Sequence, residues 1–172
     1  MTDRIAAAIR DIADFPKPGI GFKDITPLLR DHELFAEAIR RMADPWRDQD
    51  ITAIVAVDAR GFIFGTAIAC ELKLGLIPVR KKGKLPAETI EVEYALEYGT
   101  NTLQMHRDAL GPADRVLIAD DVLATGGTAL AAAKLIENLG ATVAGFSFLM
   151  ELDFLHGRDL LENYQTTTVV NF

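Results

Sequence analysis

The run from Val116 to Thr128, VLIADDVLATGGT, restricts this chain more than any other stretch. It opens on Val116 to Ala119, the apolar pattern of a strand buried on both faces of a parallel sheet. Two adjacent carboxylates, Asp120 and Asp121, follow at the strand's carboxyl end; then come a turn of small residues and a helix-compatible run from Ala129 to Leu139. Ligands of open α/β sheets bind at that end of the strands. Gly126 and Gly127 can take backbone angles that gather several N–H groups around one anion. Beside Ala124, Thr125 and Thr128 add hydroxyls, and the helix amino end adds partial positive charge. No Lys follows the glycines, which excludes the nucleoside-triphosphatase loop. The cradle suits one terminal phosphate, and the two acids are placed to accept hydrogen bonds from vicinal hydroxyls. A phosphate beside a diol is the recognition pattern of a ribose 5-phosphate.

The rest of the chain supplies the sheet this run needs. Strand patterns fall at Ile51–Val57, Leu76–Val79, Arg115–Ala119, Thr142–Leu149 and Thr166–Val170, and helix patterns at Thr2–Ile12, Glu33–Ala43, Phe62–Leu74 and Thr128–Leu139. That alternation predicts a mostly parallel sheet flanked by helices. Gly140 should cap the last helix. Two segments break the rhythm. Asp14 to Arg30, rich in Pro and Gly, is expected to be an ordered irregular arm. Lys82 to Arg107 alternates polar and apolar residues around Tyr98-Gly99, as a two-stranded ribbon would; such an insertion is often a lid. The 172 residues fit one domain, with residues 1–30 as an arm and 82–107 as a lid.

The net charge of −7 argues against nucleic acid as a partner. Local charge matters more than the total, and Arg80, Lys81, Lys82 and Lys84 form a compact basic cluster. Cys70 is the one cysteine, so no disulfide framework forms within the chain, which fits a reducing cytoplasm. Inside an apolar run it is expected to be a small buried hydrophobe. The amino-terminal pattern is not that of a signal peptide, and no apolar run reaches membrane-spanning length.

Further blocks stand in order along the chain: Phe15-Pro16-Lys17-Pro18-Gly19-Ile20, Phe22-Lys23-Asp24-Ile25-Thr26-Pro27, Asp58-Ala59-Arg60-Gly61-Phe62, Arg80 to Pro86, and Leu96-Glu97-Tyr98-Gly99. Together with the Val116–Thr128 run they resemble the type I phosphoribosyltransferases, and among these the adenine-specific members, over nearly the whole chain. The resemblance implies the fold of that family: one open, mostly parallel sheet flanked by helices, with an amino-terminal hood arm and a β-ribbon lid. The implied reaction is transfer of the 5-phosphoribosyl group from phosphoribosyl diphosphate to adenine, giving AMP and diphosphate.

By that resemblance, Asp120, Asp121 and Ala124 to Thr128 hold the ribose 5-phosphate. Asp58, Ala59 and Arg60 grip the diphosphate at a turn that often contains a non-proline cis peptide. Arg80, Lys81 and Lys84 extend the basic wall, one of them reaching a partner subunit's site. Glu97 manages the proton of adenine, assisted by Arg60 near a ring nitrogen. Gly21 (through its main chain), Phe22 and Leu152 form the base slot, and Tyr98 on the lid packs on the ribose-phosphate. Mg²⁺ is the implied cofactor, held mainly by substrate and water. A homodimer is implied, with no membrane partner. Lys23 and Gly21 depart from the family's usual Arg and larger apolar residue, which leaves base specificity open. The same fold acting on another base, or serving as a non-catalytic sensor of phosphoribosyl diphosphate, remains as an alternative.

Overall fold

The computed structural model describes residues 3–95 and 99–172. A seven-stranded sheet organises it. In chain order its strands are β3 (Ala53–Val57), β4 (Gly75–Lys81), β5 (Thr89–Ala95), β6 (Thr100–His106), β7 (Arg115–Leu123), β8 (Thr142–Glu151) and β9 (Thr166–Asn171), ordered in space β5-β6-β4-β3-β7-β8-β9. From β4 through β9 the pairing is parallel; β5 and β6 form an antiparallel hairpin that joins the edge of β4. The expected ribbon is therefore continuous with the main sheet.

Helices cover both faces. Ile54, Leu117 and Ala119 point to one side, where α1 (Arg4–Ala7), α2 (Thr26–Arg30), α3 (His32–Ala43) and α4 (Gly61–Leu72) bury Ile5, Leu28, Met42, Phe64 and Ile68. Val55, Val57, Val116 and Ile118 point to the other, against α5 (Gly127–Asn138), whose Ala131 to Ala133, Leu135 and Ile136 are buried. This alternation is the period of two of a strand sandwiched between helix layers. Small alanines on α5 let it sit close to the sheet. Asp31 caps α3 by accepting hydrogen bonds from the backbone N–H groups of Glu33 and Leu34. Gly140, with φ +83°, closes the carboxyl end of α5 as expected. Among the described residues no helix is long and apolar enough to cross a membrane.

Several boundaries differ from those read in the sequence. The expected helix Thr2–Ile12 ends at Ala7, and β1 (Arg10–Ile12) pairs antiparallel with β2 (Phe22–Asp24). Arg10 reaches Asp24 across this pair at 2.5 Å, a partner that helical spacing gives no hint of. The Asp14–Arg30 arm thus contains β2 and α2 besides its irregular part. Strand β7 runs on to Leu123, because Val122 and Leu123 continue the ladder opposite Met150 and Glu151. Cys70 is exposed, contrary to the expectation that it is buried: α4 is apolar nearly all round, so its sequence does not mark which side faces water.

Candidate active site

The carboxyl ends of β3 and β7, neighbours in the sheet, each lead through a tight turn into a helix, α4 and α5 respectively. Between the turns lies a cleft of about 360 Å³ lined by Asp58, Ala59, Arg60, Asp120, Asp121, Ala124, Thr125, Gly126 and Thr128, with apolar backing from residues such as Phe148 and Ala129. Most of the residues assigned to the two anion turns meet in this one space.

The turn after β7 is shaped by backbone contact. Gly126 has φ +83°, a conformation that glycine adopts without penalty. A Cβ placed on it would lie 2.5 Å from the carbonyl oxygen of Gly157. Conversely, a Cβ on Gly157 would lie 2.1 Å from the carbonyl oxygen of Ala124. The two glycines let the chain segments touch main chain to main chain. Arg158 secures the outer segment: it forms a bidentate pair with buried Glu151 and donates to the Thr166 carbonyl at 3.0 Å. Helix α5 begins at Gly127, so the first N–H groups of its amino end adjoin the cleft.

Asp120 and Asp121 lie within β7. Asp121 is 3% exposed, and its backbone N–H donates to Asp120 Oδ1 at 2.8 Å. Close packing by α4 brings the other carboxylate in: a Cβ on Gly61 would be 2.7 Å from Asp120 Oδ1. Arg60 Nε lies 2.9 Å from Asp121 Oδ2 as an ion pair. Its N–H is not aligned for a hydrogen bond, and that buried oxygen accepts none from the described residues. Burial pushes the Asp120 carboxyl well above the usual carboxylate range, and the charge of Asp121 adds to the rise. Asp121 is also raised by burial, against the pull of the Arg60 guanidinium. Two adjacent acids that resist full ionisation, one with an unsatisfied oxygen, suit a ligand that brings hydroxyl donors or metal-bound water.

The turn after β3 contains a cis peptide between Asp58 and Ala59. The Asp58 carboxylate faces the basic cluster, 3.0 Å from Arg80 Nε and 3.4 Å from Lys84 Nζ. Burial raises its pKa, but the hydrogen bonds and charges of Arg80 and Lys84 outweigh that and hold it below the usual range. Asp58 thus gathers Arg80 and Lys84 at the turn. Arg80, Lys81 and Lys84 do not line the cleft; Arg80 and Lys84 reach its edge through Asp58, and Lys81 is exposed.

Toward the amino-terminal arm, the Arg60 guanidinium sits 5.1 Å from the Phe22 ring centroid, and Phe15 meets Phe22 edge-on at 5.0 Å. Lys23 Nζ lies 3.8 Å over the Phe172 ring and pairs with Asp11 at 2.6 Å. Gly21 has open space around its Cβ direction, and Leu152 is tied to the end of β7 through its N–H to the Leu123 carbonyl. Gly21, Phe22 and Leu152 do not line the cleft itself. Glu97 and Tyr98 lie outside the described residues. Gly157 and Tyr94, which touch the β7–α5 turn, were not picked out from sequence. For Tyr94 the signal was available: it alternates with Ile90 and Val92 on the inward face of β5. For Gly157 no spacing gives it.

The phosphoribosyl transferase domain family matches residues 28–169. A curated adenine phosphoribosyltransferase of Nitrosococcus oceani is 53% identical over 170 residues, 99% of each chain. The crystal structure of the adenine phosphoribosyltransferase of Thermoanaerobacter pseudethanolicus superposes with a TM-score of 0.95 at 50% identity, over 98% of both chains. That of Saccharomyces cerevisiae, complexed with an imino-altritol bisphosphate and adenine, gives 0.90 at 38% identity over 96% of both. Since relatives half identical in sequence align with it from end to end, and the family match takes in both anion turns, this chain belongs to the adenine phosphoribosyltransferases, within the phosphoribosyl transferase domain family.

Proposed function

We propose that this chain transfers the 5-phosphoribosyl group from phosphoribosyl diphosphate to adenine, releasing AMP and diphosphate, a purine-salvage step. The observation that carries the reading is the convergence on one cleft of a neutral phosphate cradle, a buried acid pair and a charged βα turn. Ala124 to Thr128 take the 5′-phosphate through backbone N–H groups and hydroxyls. Asp120 and Asp121 accept from the ribose hydroxyls, and the unsatisfied Asp121 oxygen supports that role. Arg60, the Asp58-Ala59 backbone, Arg80, Lys81 and Lys84 take the diphosphate. Adenine stacks on Phe22, with Leu152 opposite and the Gly21 main chain at its edge. Main-chain donors and acceptors select a 6-amino purine, because a mismatch leaves a buried group unpaired. Glu97 handles the proton on the base with Arg60 nearby, and Tyr98 covers the ribose-phosphate.

A bound Mg²⁺ would complete the site by neutralising diphosphate charge. The donor set fits an ion held chiefly by substrate oxygens and water: Asp121 lines the cleft, and its buried Oδ2 accepts no hydrogen bond from the described residues, which suits a metal-bound water. Asp120 and Asp121 are the residues that would support it, through water. We assign the chain to one domain, with residues 1–30 as hood and 82–107 as lid, acting as a cytoplasmic homodimer in which one of Arg80, Lys81 and Lys84 reaches the partner's site. The test is diphosphate release with phosphoribosyl diphosphate, Mg²⁺ and each free base in turn. Release with adenine is expected. Release only with another base overturns the base assignment, and none with any base overturns the transferase reading.

A further inference from the structure

Tyr94 belongs to neither anion turn, yet it touches the phosphate cradle twice. Its hydroxyl is 3.2 Å from Thr128 Oγ1, with Thr128 donating. Its ring rests on the preceding residue, Gly127, the first of α5: a Cβ there would lie 3.5 Å from Tyr94 Cδ2 and 3.6 Å from the Ala95 carbonyl oxygen. Tyr94 pairs with Asn101 near the end of the β5–β6 ladder, and Glu97 follows shortly after in the chain. The contact therefore joins the outer part of the ribbon to the start of α5.

Thr128 lines the cleft. A threonine hydroxyl has one proton to donate and two lone pairs. In the geometry observed here the proton is given to Tyr94. Hydroxyl protons rotate at little cost, so an anion in the cradle can recruit the Thr128 proton while Thr128 accepts the Tyr94 proton in return. The two hydrogen bonds then run in one direction, Tyr94 to Thr128 to anion, and polarise each other. We infer that Tyr94 is a positioning residue that orients the Thr128 hydroxyl toward a bound 5′-phosphate and so couples docking of the ribbon to phosphate binding. The coupling is reciprocal: whatever seats the ribbon tightens the phosphate, and the phosphate seats the ribbon in return. This inference rests on the reading of Ala124–Thr128 as the 5′-phosphate cradle.

Tyr94→Phe removes one oxygen and keeps the ring. It is expected to raise the KM for phosphoribosyl diphosphate and the Kd for AMP about fivefold, the worth of one hydrogen bond, with the KM for adenine unchanged. Thr128→Val should weaken the same two constants, and the double variant should be no worse than Thr128→Val alone, because the Tyr94 effect passes through Thr128. Wild-type KM and Kd in Tyr94→Phe overturn the inference, even where its Tm falls. Effects that multiply in the double variant overturn it as well. Calorimetric titration with ribose 5-phosphate keeps the two readings apart. If wild type turns over no base, the transferase reading fails, while the titration still reports the Tyr94–Thr128 coupling. Wild type that does not bind ribose 5-phosphate removes the cradle and the inference together.

Discussion

The turn after β7 and the turn after β3 face one cleft from neighbouring strands, but only the second carries charge. From Ala124 to Thr128 there is no ionisable side chain, and the shape is held by main chain against main chain at Gly126 and Gly157. From Asp58 to Arg60 the shape is held by ion pairs, Asp58 with Arg80 and Lys84, and Arg60 with Asp121. Under the proposed assignment of the two turns, the difference matches what each end of the substrate must do. A 5′-phosphate stays on the product, and fixed backbone dipoles bind it equally before and after reaction. A diphosphate departs with growing charge, and cations that stabilise it most as it leaves lower the barrier.

Arg60 tests this division hardest, because it belongs to the charged turn and also pairs with Asp121, which we assign to the ribose hydroxyls. Arg60→Ala is expected to lower kcat/KM about 100- to 1,000-fold, on the scale of losing one charge-stabilising donor. Arg60→Lys should recover only part, since it keeps the charge without the planar fork. Steady-state kinetics of Arg60→Ala in an Asp121→Asn background discriminates the causes. Restored activity there would mean that Arg60 serves only to neutralise Asp121, and the contrast between the turns would collapse.

On the neutral side, Gly157→Ala puts a methyl group 2.1 Å from the Ala124 carbonyl, which forces the cradle to shift. Overpacking of this kind costs about 1–3 kcal/mol, and the expected result is a tenfold-scale rise, about 5- to 20-fold, in the KM for phosphoribosyl diphosphate. Gly145→Ala is the control. Its Cβ would strike Trp46 and the Gln165 carbonyl, away from the cleft, so it should lower Tm without moving that KM. Equal kinetic effects in both would show that the cradle is insensitive to its backing.

Why Gly126 is legible in the sequence and Gly157 is not follows from the same contrast. The two turns are contiguous in the chain, and strand, acids, small residues and helix follow one another, so local chemistry names them. Their supports come from elsewhere: Gly157 after β8, Tyr94 on the ribbon, Arg80 and Lys84 at the end of β4. Only the pairing of the strands brings these together. The fold divides in the same way. Helices α3, α4 and α5 and strands β3 and β4 agree with their patterns to within two residues at each end, whereas β7 runs four residues past its pattern. The amino-terminal helix fails, because Ile5, Ile9 and Ile12 satisfy helical spacing while β1 gains its ladder from residues ten or more positions on. Asp120 and Asp121 sit inside β7 because strand extent is set by the partner strand β8, which a single run of residues does not disclose.

The acid pair predicts a stability change of opposite sign to its effect on activity. Asp120 has a folded pKa above its unfolded value, so its favourable contribution is present below about pH 4 and is lost as pH rises through the folded pKa. At neutral pH, where the unfolded chain carries this carboxylate ionised, the raised folded pKa weighs against the ligand-free fold. Asp120→Asn should therefore raise Tm at pH 7 by a few degrees, on the order of 1 kcal/mol, and weaken binding of ribose 5-phosphate. Asp58 behaves oppositely. Its folded pKa is depressed, so its contribution is present above the unfolded pKa and disappears as pH falls through the folded value. Thermal melts from pH 3 to 8 check both signs. A Tm at pH 7 that falls in Asp120→Asn would show that the acid pair supports the fold itself.

Lys84 carries the smallest expected effect and the most direct reading of the two turns. Its side chain is 48% exposed, and its partner Asp58 keeps Arg80 at 3.0 Å when Lys84 is gone. An exposed cation of this kind contributes little to stability, so Lys84→Gln should leave Tm unchanged and raise the KM for phosphoribosyl diphosphate about two- to threefold. Screening acts on the charged turn and not on backbone dipoles locked in the fold. Raising ionic strength should therefore weaken phosphoribosyl diphosphate more steeply than ribose 5-phosphate in wild type, and Lys84→Gln should flatten only the first slope. Parallel slopes for the two ligands would mean that both ends are held by the same electrostatics, and the division between a neutral cradle and a charged turn would be one of composition alone.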